Sequence, residues 1–317
     1  MSQPELSVIV LTPDNYRTIH RTLAHLRAQT VRDRLELVIV APAAEPVDPA
    51  FPAVRHVPLR DLTSTAAARA AGVRAATAPV VAFVEEHSFP QPNWAAELIA
   101  AHRQPLAGVG PAIVNANPAT LTSWANLIIE YGPWLDPVPA APVEHLPGHN
   151  SSYQRDVLLA YGDRLEAMLD AESILHWDLR ARGHRLVLAP AAKTEHFNFS
   201  RLGSSVPLRF YGGRLFAAAR SRHWSPARRL AYGIAAPVIP LVRLVRLARE
   251  MSRPGRARPG LGRVWPLLFL LLTLDALGEL VGYLTGAGDA MAKLTDMEFH
   301  RDRHLTAADR KPFAQLP

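Results

Sequence analysis

The stretch Val80-Val81-Ala82-Phe83-Val84-Glu85-Glu86-His87 decides how this chain is read. An apolar, mostly β-branched run predicts a buried strand, and three polar, metal-competent side chains follow at its carboxyl end. Open α/β sheets bind ligands in the crevice beyond the carboxyl ends of their strands, so Glu85 and His87 are placed to share one divalent cation there. A cation at such a place points to a nucleotide diphosphate as ligand. The competing reading is a solvated strand end.

Upstream, Leu6 to Leu11 reads as a buried strand, Thr18 to Gln29 as a helix with Ile19, Leu23 and Leu26 on one face, and Leu35 to Val40 as a second strand. A Pro- and Ala-rich connection leads to a short strand near Val54 to Pro58, then to an Ala-rich helix from about Thr65 to Ala76. Downstream, Trp94 to His102 reads as the helix leaving the acidic strand end. Strand and helix in alternation predict a right-handed, mainly parallel α/β sheet flanked by helices.

At 317 residues and 49% hydrophobic, the chain has enough apolar mass for one large core or two smaller ones. Its lack of cysteine excludes disulfides, thiolate catalysis and thiolate metal sites, leaving a metal to carboxylate, imidazole and phosphate oxygen. The opening Met1-Ser2-Gln3-Pro4-Glu5 has no basic segment ahead of an apolar one, so no cleavable signal is expected and the first domain is expected in the cytoplasm.

The net charge of +7 is unevenly spread. Residues 1 to 200 carry 16 Lys and Arg against 20 Asp and Glu, a balance of −4, whereas residues 201 to 317 carry 19 against 8, a balance of +11. A polyanionic partner is implied for the second part. Neighbouring apolar runs favour an anionic membrane surface, with no nucleic acid expected. Val264 to Gly286 extends about 34 Å as a helix, enough to cross a bilayer, although Asp275 and Glu279 each cost roughly 2.5 to 3.5 kcal/mol near its centre unless paired. Arginines following the earlier stretch Ala231 to Val242, itself too short for a normal span, are candidate partners. Seven arginines lie between 243 and 263, and basic residues on both sides of both stretches predict a hairpin or a half-inserted helix pair. The alternative is a soluble helical subdomain. The division expected is 1 to 205 for the α/β domain and 206 to 317 for a basic, apolar helical membrane-associated region.

The order of several segments resembles the family 2 glycosyltransferases of GT-A fold. Ser7-Val8-Ile9-Val10-Leu11-Thr12-Pro13-Asp14 with Thr22-Leu23 and Ala28-Gln29-Thr30 is similar to that family's opening strand and helix, and Ala68-Arg69-Ala70-Ala71-Gly72-Val73 to its Ala-Arg-Asn-x-Gly-Ile helix. Val84-Glu85-Glu86-His87 falls where the family carries Asp-x-Asp, and Pro90, Pro92 and Trp94 match what often follows. Gly148-His149-Asn150-Ser151-Ser152-Tyr153-Gln154-Arg155 resembles its Gly-x-Asn segment, and Glu172 with Trp177-Asp178-Leu179 and Gly183 its Glu-Asp-x-x-Leu…Gly pattern.

The resemblance implies transfer of a sugar from a nucleotide-diphosphate donor, with inversion, to a hydroxyl on a glycan or lipid-linked acceptor. Mg2+ or Mn2+ neutralises the leaving diphosphate, held by Glu85, His87 and His196, where related enzymes return a histidine to the metal. Glu172 occupies the place of the catalytic base, with Asp170 near enough to substitute. Thr12, Asp14, Arg69, Glu86, His149 and Asn150 are the implied donor and cofactor contacts, His149 because glycine before it lets backbone approach a ligand. The bland readings are a strand-end histidine for His196 and surface charge for Glu172.

Three departures stand beside the resemblance. Val40-Ala41-Pro42-Ala43 follows the second strand where the family usually has an acidic residue for the nucleobase. The metal motif is Glu-Glu-His, and only neutral imidazole ligates. The terminal Arg-Trp pair of processive members is missing; Arg222-His223-Trp224 reads as an interfacial anchor, so one sugar per acceptor is expected. Trp124, Tyr131 and Trp134 in the Pro-rich segment 118 to 147 suggest an aromatic acceptor loop or that loop's own small core, and Asn115 and Asn117 suggest turns. The reading that results is a metal-dependent glycosyltransferase at the cytoplasmic face of the cell membrane. A catalytically silent nucleotide-sugar- or glycan-binding relative at the membrane remains the alternative, and a nucleotidyltransferase is disfavoured because Thr12-Pro13-Asp14-Asn15-Tyr16 is unlike a phosphate loop.

Overall fold

Runs of apolar residues with no polar alternation must be covered on both faces, and the three such runs at the start of the chain become strands with every residue buried. The computed structural model describes residues 3–14, 16–46, 51–60, 64–170, 172–256 and 260–314. Met1, Ser2, Asn15, part of the Pro- and Ala-rich connection and Arg258 of the arginine-rich connection lie outside them.

In chain order the elements begin β1 (Leu6–Leu11), α1 (His20–Arg27), β2 (Leu35–Ala41), β3 (Ala53–Pro58), α2 (Thr65–Ala75), β4 (Val80–Val84), β5 (Ser88–Pro90) and α3 (Trp94–Ala101). They continue with β6 (Gly108–Asn115), α4 (Leu121–Tyr131), β7 (Ser152–Gln154), α5 (Arg155–Leu159), α6 (Leu165–Leu169), α7 (Glu172–Ala181) and β8 (Leu186–His196). Helices complete the chain: α8 (Leu202–Arg220), α9 (Pro226–Ala235), α10 (Ile239–Met251), α11 (Trp265–Thr285), α12 (Ala290–Phe299) and α13 (Ala307–Ala314). The first helix starts two residues later than expected because Thr18 is spent on Asp14, to which it donates from both its backbone N and its hydroxyl.

The strands form one sheet in the order β3-β2-β1-β4-β7-β6-β8-β5. β1 to β4 run parallel, β7 is antiparallel to both β4 and β6, and β5 is antiparallel to β8. From β1 the chain winds outward to β2 and β3, then returns to lay β4 on the other side of β1. The carboxyl ends of β1 and β4 therefore flank the switch point, where such sheets leave a crevice.

The chain divides into two compact units, one of residues up to Val114 with Asp136–His196, the other of Asn115–Leu135 with residues from Phe197 onward. In the first, a carboxylate buried in the sheet is held by several donors. Glu36 on β2 takes hydrogen bonds from Ser7, from the Thr77 backbone N at 2.8 Å and from Arg55 at 3.3 Å. Burial alone would raise its pKa, but these donors hold the carboxyl below its ordinary value.

Two histidines fix the frame of the site. His102, closing α3, meets Ser152 Oγ at 2.9 Å, and His176 on α7 meets the Tyr153 hydroxyl at 2.8 Å. Burial lowers His102 to about 4 and His176 to about 3, from an ordinary 6.5. Because both folded values lie below the unfolded one, their contribution is full above 6.5 and is lost as pH falls from there toward the folded values. The expected result is a fall in melting temperature between about pH 7 and about pH 5, which His176→Gln flattens. A melting temperature constant over that range would contradict the buried, neutral assignment.

The second unit is helical. α8 and α11 cross so closely that a Cβ built on Gly213 would lie 2.0 Å from the Asp275 carbonyl oxygen, and one on Gly278 2.0 Å from that of Phe210. Gly278 and Gly282 form a small-residue pair at the spacing that lets apolar helices touch backbone to backbone. On the other flank of α11, Arg243 Nη1 meets Asp275 Oδ2 at 2.8 Å, the pairing expected for that carboxylate.

Four expectations for this unit are corrected. The stretch Ala231 to Val242 is not short: α9, a 3-10 turn and α10 continue through Pro226–Met251, 26 residues, because Pro237 and Pro240 sit in first-turn positions that lack an intrahelical N–H partner anyway. Trp124 and Tyr131 do not line a loop; both are buried on α4, while Trp134 is half-buried in the 3-10 turn that follows. Arg256 is not available to lipid, since it is 2% exposed and donates to the carbonyls of Gly132 at 2.8 Å and Leu135 at 2.5 Å. Trp224, expected at an interface, is half-buried against Tyr232 and Tyr283, with the Arg228 guanidinium 4.1 Å above its ring. Asn115 and Asn117 do make the expected turn, the Asn117 N donating to Asn115 Oδ1 at 3.0 Å.

Candidate active site

The register of the antiparallel strands builds the site. Ser88 of β5 pairs with His196 at the end of β8, which brings the end of β8 against the Glu85-Glu86-His87 tip. Ala82 of β4 pairs with Ser152 of β7, so the turn Gly148–Asn150 just before β7 lies over the same tip.

Glu85, His87 and His196 converge. His87 Nε2 and His196 Nε2 are 3.0 Å apart, and each is 3.5 Å from Glu85 Oε2. A cation bound at about 2.1 Å spaces adjacent ligands by about 3.0 Å in an octahedron and about 3.4 Å in a tetrahedron, so this triangle fits a single divalent ion. Both rings are almost fully buried, which leaves them little water to share. Burial would raise the Glu85 pKa, but His87, His149 and His196 beside it hold the carboxyl well below its ordinary range.

The remaining residues surround this triangle in two groups. Asn150 donates to Glu85 Oε2 at 2.8 Å, and His149 Nδ1 meets Glu85 Oε1 at 2.9 Å while its Nε2 makes a close contact to Glu172 Oε1. Arg69, on α2 and 6% exposed, reaches the same Glu172 oxygen at 3.4 Å. Glu172 opens α7, where the free N–H groups favour a carboxylate. Glu86 is buried with Oε1 2.9 Å from His87 Nδ1. Thr12 and Asp14 form a separate cluster beyond β1, with Thr12 Oγ1 2.8 Å from Asp14 Oδ1 and 2.7 Å from Thr18 Oγ1. Next to it Tyr16 is held in the left-handed region at φ 59, a strained turn of the kind that gathers at binding sites.

Gly148 serves a purpose different from the one read in sequence. A Cβ there would meet the Glu172 side chain at 2.6 Å, so what approaches its backbone is the carboxylate of α7. Thr22 is a residue that sequence reasoning missed: its hydroxyl donates to the Glu86 carbonyl at 2.9 Å and so fixes the tip from α1. The available signal was a threonine on the same face as Ile19, Leu23 and Leu26.

Glycosyl transferase family 2 is the family whose model matches, over residues 7–162. Among solved structures the chain is similar to the mannosyltransferase PcManGT from Pyrobaculum calidifontis, in complex with GDP-Man and Mn2+, at 17% identity and a TM-score of 0.53 over 88% of each chain. It is also similar, more remotely, to GalNAc-T7 with UDP, GalNAc and Mn2+, at 13% identity and a TM-score of 0.45 over 62% of this chain and 44% of that one. Nothing among the curated proteins matches. With the parallel β1 to β4 core and the switch-point site in place, residues 7–162 match the family 2 glycosyltransferases, the fold is that of the GT-A enzymes, and both support a transferase.

Proposed function

We propose that the protein transfers a sugar, with inversion, from a nucleotide-diphosphate donor to a hydroxyl of a glycan or lipid-linked acceptor at a membrane. The observation that carries this reading is the juxtaposition of a three-donor cation triangle with Glu172, joined to it through His149. A divalent cation supplies Lewis-acid neutralisation of the diphosphate leaving group. Two imidazoles with one carboxylate suit Mn2+ better than Mg2+, which prefers all-oxygen shells. Glu172 takes the proton from the acceptor hydroxyl as it attacks the anomeric carbon. Arg69 and His149 occupy its Oε1 and thereby direct Oε2 toward the acceptor. Asn150 and His149 hold Glu85 in place for the cation.

Support for a membrane comes from the second unit. Two helical segments, Pro226–Met251 and Leu261–Thr285, are long and apolar enough to cross a bilayer. Along the first, Leu230, Ile234, Val238, Leu241 and Val245 recur every three or four residues and are all exposed, with Ile234 at 72%. Exposed Phe269, Leu270, Leu277 and Leu284 add a second stripe on α11. Lipid covers such stripes, and exposed Arg246, Arg249, Arg253 and Arg263 are available to anionic headgroups, each contributing about 1 kcal/mol. An orientation toward the cytoplasmic face follows from anionic lipid being concentrated there.

The test is a thermal-shift screen of nucleotide sugars, GDP-mannose and UDP-N-acetylgalactosamine among them, with Mn2+, with Mg2+ and with neither. One nucleotide raises the melting temperature, more with Mn2+ than with Mg2+. If no nucleotide sugar shifts the melting temperature under any condition, the donor reading is wrong.

A further inference from the structure

The geometry assigns Glu86 as a positioning residue that fixes the tautomer of His87; this rests on the cation reading of the site above. From its place in the motif Glu86 is expected to touch the donor, yet its carboxylate turns to the histidine next to it. His87 is 1% exposed and Glu86 8%, so the contact between Nδ1 and Oε1 at 2.9 Å is sheltered from water. A carboxylate accepts and does not donate, so the proton of a neutral His87 sits on Nδ1. The lone pair is then on Nε2, the atom that faces His196 Nε2 at 3.0 Å and Glu85 Oε2 at 3.5 Å.

With the opposite tautomer, Nε2 would carry a hydrogen into the triangle and could not ligate. Glu86 thus decides which nitrogen is the ligand and also holds the ring plane, as carboxylates behind metal-bound histidines do. Its backbone is pinned from two sides, since Thr22 donates to the Glu86 carbonyl at 2.9 Å and the Ser88 N closes a turn onto the Glu85 carbonyl at 3.0 Å. The tip Glu85-Glu86-His87 therefore alternates ligand, support, ligand.

The test is a titration of full-length protein with Mn2+ alone, followed by the electron paramagnetic resonance signal of free Mn2+. Glu86→Leu weakens Mn2+ binding about 10- to 100-fold, and Glu86→Gln, whose amide oxygen still accepts from Nδ1–H, restores it to near the wild-type value. At saturating Mn2+ the affinity of Glu86→Leu for a nucleotide sugar is unchanged. Wild-type Mn2+ affinity in Glu86→Leu, or a loss of donor affinity with metal affinity intact, overturns the assignment while leaving the cation site standing. A folded wild-type protein that binds no Mn2+ instead removes the site itself, and the assignment with it. Should Glu86→Leu fail to fold, long-range proton–nitrogen spectra of the Zn2+-loaded wild type decide: Nδ1 protonated and Nε2 metal-bound is the expected pattern, and Nδ1 metal-bound overturns it.

Discussion

Replacing Glu172 by glutamine is expected to lower kcat by about 10^2- to 10^4-fold, the range over which a positioned general base accelerates proton transfer. Glutamine keeps the size of the side chain and an oxygen for Arg69 and His149, which reach Oε1, but has no basic lone pair of carboxylate strength. The melting temperature and the Mn2+ affinity should stay near wild type, since Glu172 lies outside the ligand triangle. Single-turnover measurement with saturating donor separates this loss from weaker binding. An unchanged kcat would show that another group, with Asp170 the nearest by sequence, takes the proton.

Removing Glu85 and His87 together by alanine substitution eliminates two of the three candidate ligands. The stabilisation that Mn2+ gives the wild type, about 2.7 kcal/mol at a concentration 100 times its dissociation constant, should vanish. Turnover should fall by about a thousandfold or more, because Lewis-acid neutralisation of a leaving diphosphate is worth several kcal/mol. Melting curves in Mn2+ and in chelator measure the first effect, and nucleotide release from a responsive donor measures the second. A double variant that keeps both a Mn2+ shift and wild-type turnover would place the metal elsewhere.

The parts legible in sequence were those whose cause is local. β4 is an uninterrupted apolar run and β1 and β2 are each broken by one polar residue only, Ser7 and Glu36, and a run covered on both faces has few other fates in an alternating α/β chain. The Glu85-Glu86-His87 tip was legible for the same reason, since the carboxyl end of such a strand opens at the crevice. What sequence could not show depends on register. His149 and Glu172 meet only because β7 pairs antiparallel with β4 and places the preceding turn over the tip, and nothing in the spacing from 149 to 172 announces that. The role of Glu86 depends on which way one side chain turns. Prolines misled twice: Pro118 and Pro133 made α4 read as loop although they flank the helix and do not interrupt it, and Pro237 and Pro240 made one long helical segment read as a short one.

The assignment of Asn115–Leu135 to the helical unit has a consequence for how the protein is made. The chain enters that unit at Asn115, leaves it at Asp136 to finish the sheet, and returns only at Phe197. During synthesis α4, with Trp124, Leu127, Ile128 and Ile129 on its buried surface, emerges long before α8 and α11 exist to cover it. A nascent chain must therefore carry an uncovered greasy helix through most of translation, and any fragment cut off after the sheet would keep that exposure permanently. Deleting the tail should yield an insoluble product, so the catalytic half is best studied within the whole chain.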